Sequence, residues 1–199
     1  MSKVIASTTT SVDGYVTGPE DGPEHGLGIG GERLHNWVMG GPWSYDGEHA
    51  FAMSDEDREF FDGLTANLGA GVVGRGMYDA AGAWGGTNPF DGPLHIVTHR
   101  MDDQPDPETG FVFVDGFERA MELARETAGE KDVSVGGGAD VIRQALEGGY
   151  VDVLALSTAP VILGRGKRLF EDFDHDIDLE KLSVHSSQYA THTTYAVKR

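Results

Sequence analysis

Residues 133–157 read VSVGGGADVIRQALEGGYVDVLALS, from Val133 to Ser157. Val133 to Val135 is short and β-branched, as in a strand. Three glycines follow, then a helical pattern over Gly138 to Leu146 that Gly148-Gly149 brings to a stop. Val151 to Ser157 is a nearly continuous apolar run, which predicts a strand buried on both faces. Strand, helix and strand in that order predict an α/β unit with parallel strands.

Working outward, the same alternation extends in both directions. Val4 to Thr10 predicts a first strand, ended by the turn-forming Asp13-Gly14. Residues 18–47 are rich in Gly and Pro with few periodic apolar positions, and predict a long loop of the kind that forms lids or binding loops. Ser54 followed by Asp57 resembles a capping box with Asp in place of Glu. Phe60, Phe61, Leu64 and Leu68 then recur at helical spacing, so a helix is expected over 55–67. Gly71 to Gly74, Leu94 to Thr98 and Phe111 to Val114 predict strands, and Asp115 with Glu118 opens a helix through Thr127. From Leu182 to Val197 the pattern changes: Tyr189, Thr191, Thr193, Tyr195 and Val197 alternate with Ala190, His192, Thr194 and Ala196, as in an antiparallel hairpin. The expected architecture is a mostly parallel sheet covered by helices, with an antiparallel C-terminal hairpin, in a single domain spanning 1–199.

Composition narrows the chemistry. The chain contains no cysteine, which excludes disulfides, thiolate metal sites and a cysteine nucleophile. Its 33 acidic and 15 basic residues give a formal charge of −18, and such a surface repels a polyanion, so a nucleic-acid partner is not expected. No apolar run approaches the roughly 20 residues of a membrane span, and MSKVIASTTT lacks a signal-peptide core, so a cytoplasmic protein is expected. Eight histidines raise the question of a metal, yet His95 and His99 lack a third ligand at metal-binding spacing.

Several glycine patterns invite a nucleotide reading. Gly26-Leu27-Gly28-Ile29-Gly30-Gly31 satisfies the formal dinucleotide fingerprint, but turn-forming sequence and not a strand precedes it, so it reads as a flexible loop. Gly166-Lys167 lacks the other residues of a phosphate-binding Walker loop. Val72-Val73-Gly74-Arg75-Gly76-Met77-Tyr78 is more informative: a buried strand ends in Gly-Arg and a short helix begins. There the glycine permits close approach and the arginine offers a bidentate fork to a phosphate, the alternative being a plain turn with a surface arginine. Val135-Gly136-Gly137-Gly138-Ala139-Asp140 repeats the strand-to-helix arrangement, and three costly glycines are best explained by a turn that also admits a ligand.

The order of these pieces resembles the dihydrofolate reductase-like superfamily, in its riboflavin-biosynthesis reductase branch, over nearly the whole chain. The matching motifs are Ser11-Val12-Asp13-Gly14, Gly74-Arg75, the glycine triplet before a helix, and Ala159 to Phe170, APVILGRGKRLF. The resemblance implies a three-layer α/β/α fold, an NADPH-dependent oxidoreductase and a homodimer. It implies that Gly74, Arg75, Gly136, Gly137, Gly138, Ala139 and Asp140 lie near the cofactor phosphates. Thr98, His99 and Arg100 fall where the family holds the 2′-phosphate of the adenosine ribose. On the substrate side the resemblance points to Asp13, facing a pterin- or pyrimidine-like ligand, and to Asp57, one turn before an aromatic pair. Each has a purely structural alternative: a turn-forming Asp-Gly for Asp13 and a helix cap for Asp57. One departure separates this chain from the riboflavin-pathway enzymes, which carry Glu-Gly-Gly where Gly136-Gly137-Gly138 stands here. A catalytically silent binding or assembly module built on the same fold is the rival expectation.

Overall fold

A computed structural model of the chain describes residues 2–46 and 50–198. Its centre is an eight-stranded sheet in the order β5-β4-β3-β6-β1-β7-β10-β9. β1 (Val4–Ser11), β3 (Leu68–Gly74), β4 (Leu94–Val97), β5 (Phe111–Val114), β6 (Asp132–Gly136) and β7 (Val153–Ala159) run parallel to one another. β9 (Leu179–Ser186) and β10 (Thr191–Val197) form the antiparallel hairpin, and β10 pairs with β7. A separate two-stranded ribbon joins β2 (Tyr15–Thr17) to β8 (Lys167–Arg168).

Alternation along the strands sends side chains to two cores. On one face, α4 (Phe117–Ala128) and α5 (Ala139–Glu147) cover Val4, Ala6, Val72, Val133, Val135 and Leu154. Val141, Ile142, Ala145 and Leu146 recur along one side of α5 and are buried there. Each fully buried large side chain contributes about 1.5–3 kcal/mol. On the other face, α3 (Arg75–Ala80) lays Met77 and Tyr78 against Val73, Leu94, Ile96, Phe111 and Phe113. α1 (Asn36–Met39) and α2 (Asp55–Thr65) close the remainder of the fold through Trp37, Val38 and Phe61. Ser54 caps α2 by accepting a hydrogen bond from the Asp57 N–H.

Several boundaries differ from expectation for identifiable reasons. The last parallel strand begins at Val153, two residues later than expected, and Asp152 just before it binds Val4 twice, its N–H donating to the Val4 carbonyl (2.9 Å) and its carboxylate accepting the Val4 N–H (2.9 Å). The α4 cap is Gly116, with φ 93°, while Asp115 pairs with His99. The loop predicted over 18–47 contains a 3-10 turn at Gly31–His35 and the single turn of α1, and its last residue lies outside the described residues. Among the described residues no helix is long and apolar enough to cross a membrane.

Candidate functional site

The chain leaves β3 toward β4 on one side, and leaves β6 toward β7 on the other, passing β1. Adjacent parallel strands whose connections depart in opposite directions open a crevice beyond their C-terminal ends, the usual ligand position in open α/β sheets. β3 and β6 are such a pair, and the crevice is flanked by Gly74-Arg75 and by Gly136, Gly137 and Gly138. A Cβ on Gly74 would stand 3.0 Å from Val141 of α5, and one on Gly137 only 1.5 Å from the Met77 sulfur of α3. Gly137 and Gly138 have φ of 53° and 65°, which side-chain-bearing residues rarely adopt. A Cβ on Gly138 would meet nothing within 4 Å, so its backbone borders open space. Gly138 caps α5 without a side-chain hydrogen bond, and the N–H groups of a first helical turn have no partner within their own helix. Ala139 is buried as the first residue of α5, and Asp140 turns aside to Arg143 (2.5 Å).

Next to the crevice, the ends of β3 and β4 bring two arginines together. Arg75 Nε donates to Asp79 Oδ1 (2.7 Å), its two terminal nitrogens grip the Asp103 carboxylate, and Arg100 reaches Asp79 Oδ2 (2.5 Å). The Arg75 guanidinium also lies 4.6 Å from the Phe113 ring centre and 5.4 Å from that of Tyr78. The Asp103 hydrogen bonds, together with Asp79, raise the Arg75 pKa above its ordinary value. Thr98 accepts the Arg100 N–H through its hydroxyl (3.0 Å), and His99 meets Asp115 (2.6 Å) at a highly exposed position. Arg75, Thr98 and Arg100 are thus brought together, while the His99 side chain turns toward Asp115.

Asp13 occupies a different position from Asp57. Its carboxylate accepts the N–H groups of Leu163 (3.0 Å) and Gly164 (2.7 Å), which fastens the turn after β1 to the segment Ala159 to Phe170. Val12 to Val161 (2.9 Å) and Leu169 to Gly14 (2.9 Å) complete the attachment. Hydrogen bonding from Ser11, joined by Gly164 and Leu163 and opposed by desolvation, holds the Asp13 carboxyl down at about 2. A group that acidic is a poor proton donor near neutrality.

Asp57 is sealed inside. Its Oδ1 accepts from His192 Nε2 (2.8 Å), its Oδ2 from the Ser54 hydroxyl (3.0 Å), and His192 Nδ1 meets the Ser157 hydroxyl (2.7 Å). Asp57 and His192 are both 0 % exposed. A carboxylate only accepts, so Nε2 carries the proton and Nδ1 accepts from Ser157. Burial pushes the His192 pKa down, despite the opposing Asp57, and the ring stacks on Phe60 (4.1 Å) with Trp37 edge-on (4.8 Å). Trp37 in turn donates to Thr9 (3.0 Å). Trp37, in a Gly-rich segment, was expected to cover the site or the core, whereas His192, Ser157, Asp79 and Asp103 escaped the sequence reading; only the inward phase of His192 in the alternating tail hinted at one of them. Among the described residues, no three metal-ligating side chains gather where they could share an ion.

An open, mostly parallel sheet with its glycine turns at one crevice and an antiparallel C-terminal hairpin is the α/β fold of dihydrofolate reductase-like proteins. Solved structures that share it include the following three. A Shewanella sp. PV-4 protein assigned to riboflavin biosynthesis is 19% identical with a TM-score of 0.72, covering 99% of each chain. A pyrimidine reductase-like protein from Corynebacterium diphtheriae is 17% identical with a TM-score of 0.66, over 100% of this chain and 92% of its own. Dihydrofolate reductase from Enterococcus faecalis, complexed with NADP(H) and RAB-propyl, is 17% identical with a TM-score of 0.63, over 99% and 97%. No curated protein matches the chain. The chain belongs to the RibD C-terminal domain family, whose model matches residues 2–193.

Proposed function

We propose that this protein is an NADPH-dependent reductase that passes a hydride to a small, flat heterocycle of the pterin or pyrimidine kind. The observation that carries the reading is the crevice between β3 and β6, where an open glycine cradle at the uncapped start of α5 stands beside Gly74 and two arginines. That arrangement fits a dinucleotide: backbone N–H groups for its pyrophosphate, and the region of Arg75, Thr98 and Arg100 for a ribose phosphate. The bound cofactor supplies the hydride chemistry, and the chain supplies orientation and exclusion of water. Val12 and Ile162 stand exposed on the latched loops beside Asp13 and offer an apolar rim to a flat substrate. The loop over 18–47 is the proposed cover. Asp13 and Asp57 are the proposed site carboxylates: Asp13 acts in its ionised form by holding the substrate-side loop, and Asp57, closed off from solvent, acts through the His192 and Ser157 hydrogen bonds. A single cytoplasmic domain over 1–199, paired as a homodimer through the exposed edge strand β9, completes the proposal.

The test is calorimetric titration with NADPH and NADH. Saturable binding with NADPH preferred is expected, and replacing Arg75 and Arg100 together by alanine weakens NADPH while the Arg100 change alone leaves NADH nearly untouched. Equal affinity for the two cofactors would overturn the phosphate assignment. A catalytically silent module is favoured by one observation, that both carboxylates already spend their oxygens on internal partners. NADPH binding without turnover on any pterin or pyrimidine tried would support that second reading.

A further inference from the structure

The outward end of the Arg75 guanidinium is already occupied. Both terminal nitrogens grip both oxygens of Asp103, the bidentate geometry with which arginine also receives a phosphate. The other contacts of Arg75 are built into the fold: Asp79 lies one turn along the same helix, and the rings of Phe113 and Tyr78 support the guanidinium plane. Asp103 differs in kind. It comes from the exposed stretch Met101 to Gln104, and its side chain is 56% exposed against 13% for Arg75. The backbone hydrogen bonds described on either side flank that stretch without crossing it: Arg100 N–H binds Thr98, and Glu108 and Thr109 N–H bind Asp106.

Resting on the cofactor reading above, we propose that Asp103 is an internal competitor for the ligand's ribose phosphate and so sets cofactor preference. Its carboxylate fills the Arg75 fork in the free protein and must leave, with the 101–105 segment, before a phosphate can take its place. A phosphomonoester carries up to two charges and three acceptor oxygens against one charge and two oxygens on Asp103. It therefore wins the fork and can engage Arg100 as well, which is 61% exposed and pairs with Asp79. A ligand with a bare ribose hydroxyl has nothing to displace the carboxylate with. Asp103 thus weakens binding of the phosphorylated cofactor without touching the unphosphorylated one.

The experiment compares wild-type protein, Asp103→Asn and Asp103→Ala by calorimetric titration with NADPH, NADH and adenosine 2′-monophosphate. A partly exposed ion pair offers limited competition, so Asp103→Ala should tighten NADPH and adenosine 2′-monophosphate about two- to fivefold while leaving NADH unchanged. Asp103→Asn should move the same way by less, since its amide still offers one acceptor. Unchanged or weaker NADPH binding by Asp103→Ala, in a protein that binds NADPH as wild type, overturns the competitor and leaves the cofactor reading standing. Protein that binds none of the three probes, with or without the substitution, overturns both.

Discussion

Removing the Asp57 carboxylate gives the sharpest view of the buried polar network. Asp57→Asn keeps an acceptor oxygen for His192 and replaces the other oxygen with an amide that the Ser54 hydroxyl can accept from. The loss is the difference between a charge-assisted and a neutral hydrogen bond, about 1 kcal/mol. Asp57→Ala removes both acceptors. The His192 Nε2–H is then left in a position with 0 % exposure, where water cannot reach it without opening the packing of Phe60 and Trp37. An orphaned buried donor costs about 1–3 kcal/mol, and the lost carboxylate bonds bring the total to about 3 kcal/mol. For a chain of this length 1 kcal/mol corresponds to about 2–4 °C, so Asp57→Asn should lower Tm by about 2–4 °C and Asp57→Ala by about 6–12 °C. Near-ultraviolet circular dichroism on a thermal ramp measures both, since its signal comes from ordered aromatic side chains, Trp37 among them. Near-identical shifts below about 4 °C for the two variants would mean that the network is hydrated and open, and the sealed description of Asp57 would be wrong.

Asp13→Asn should free the Ala159 to Phe170 segment and accelerate amide exchange at Leu163 and Gly164, because one of its two acceptors becomes a donor facing an N–H. The Asp13 carboxyl is depressed from 3.8 to about 2 in the folded state, so its stabilisation is full above about pH 4 and is lost as pH falls toward 2. The variant's unfolding midpoint in urea should lack that part of the acid dependence, and an unchanged profile would contradict the assignment. Gly137→Ala should cost about 1–2 kcal/mol from its positive φ alone, before the clash with Met77. Combining it with Met77→Ala relieves only the clash, and full recovery of Tm in the double variant would refute the backbone part of the argument. If β9 is a pairing edge, Leu182→Lys and Val184→Lys, at side chains 56% and 51% exposed, should convert a dimer to a monomer by light scattering. A monomeric wild-type protein at micromolar concentration would refute the pairing itself.

The parallel sheet was legible because its signals are local. Apolar runs such as Leu94 to Val97 and the period of α5 report burial directly, and glycines mark the turns between them. The alternating tail revealed the hairpin for the same reason. The β2–β8 ribbon was not legible, since strands of three and two residues, about 150 positions apart, carry no period. α1 was likewise too short to stand out from its glycine-rich surroundings. At the site, residue types and order pointed to the glycine turns and to Arg75, but not to their partners. Asp103 reaches Arg75 from an exposed loop 28 positions away, and Asp57 finds His192 across 135. Such pairings are fixed by the packing of elements and leave no trace in spacing.

The central claim, that the crevice between β3 and β6 holds a dinucleotide, is tested most directly by hydrogen–deuterium exchange with and without saturating NADPH. The account predicts slowed exchange concentrated at Gly136 to Ala139 and at Gly74 to Met77, with smaller changes at Thr98 to Asp103. Unchanged exchange at both glycine turns, with protection appearing elsewhere or nowhere, would contradict it.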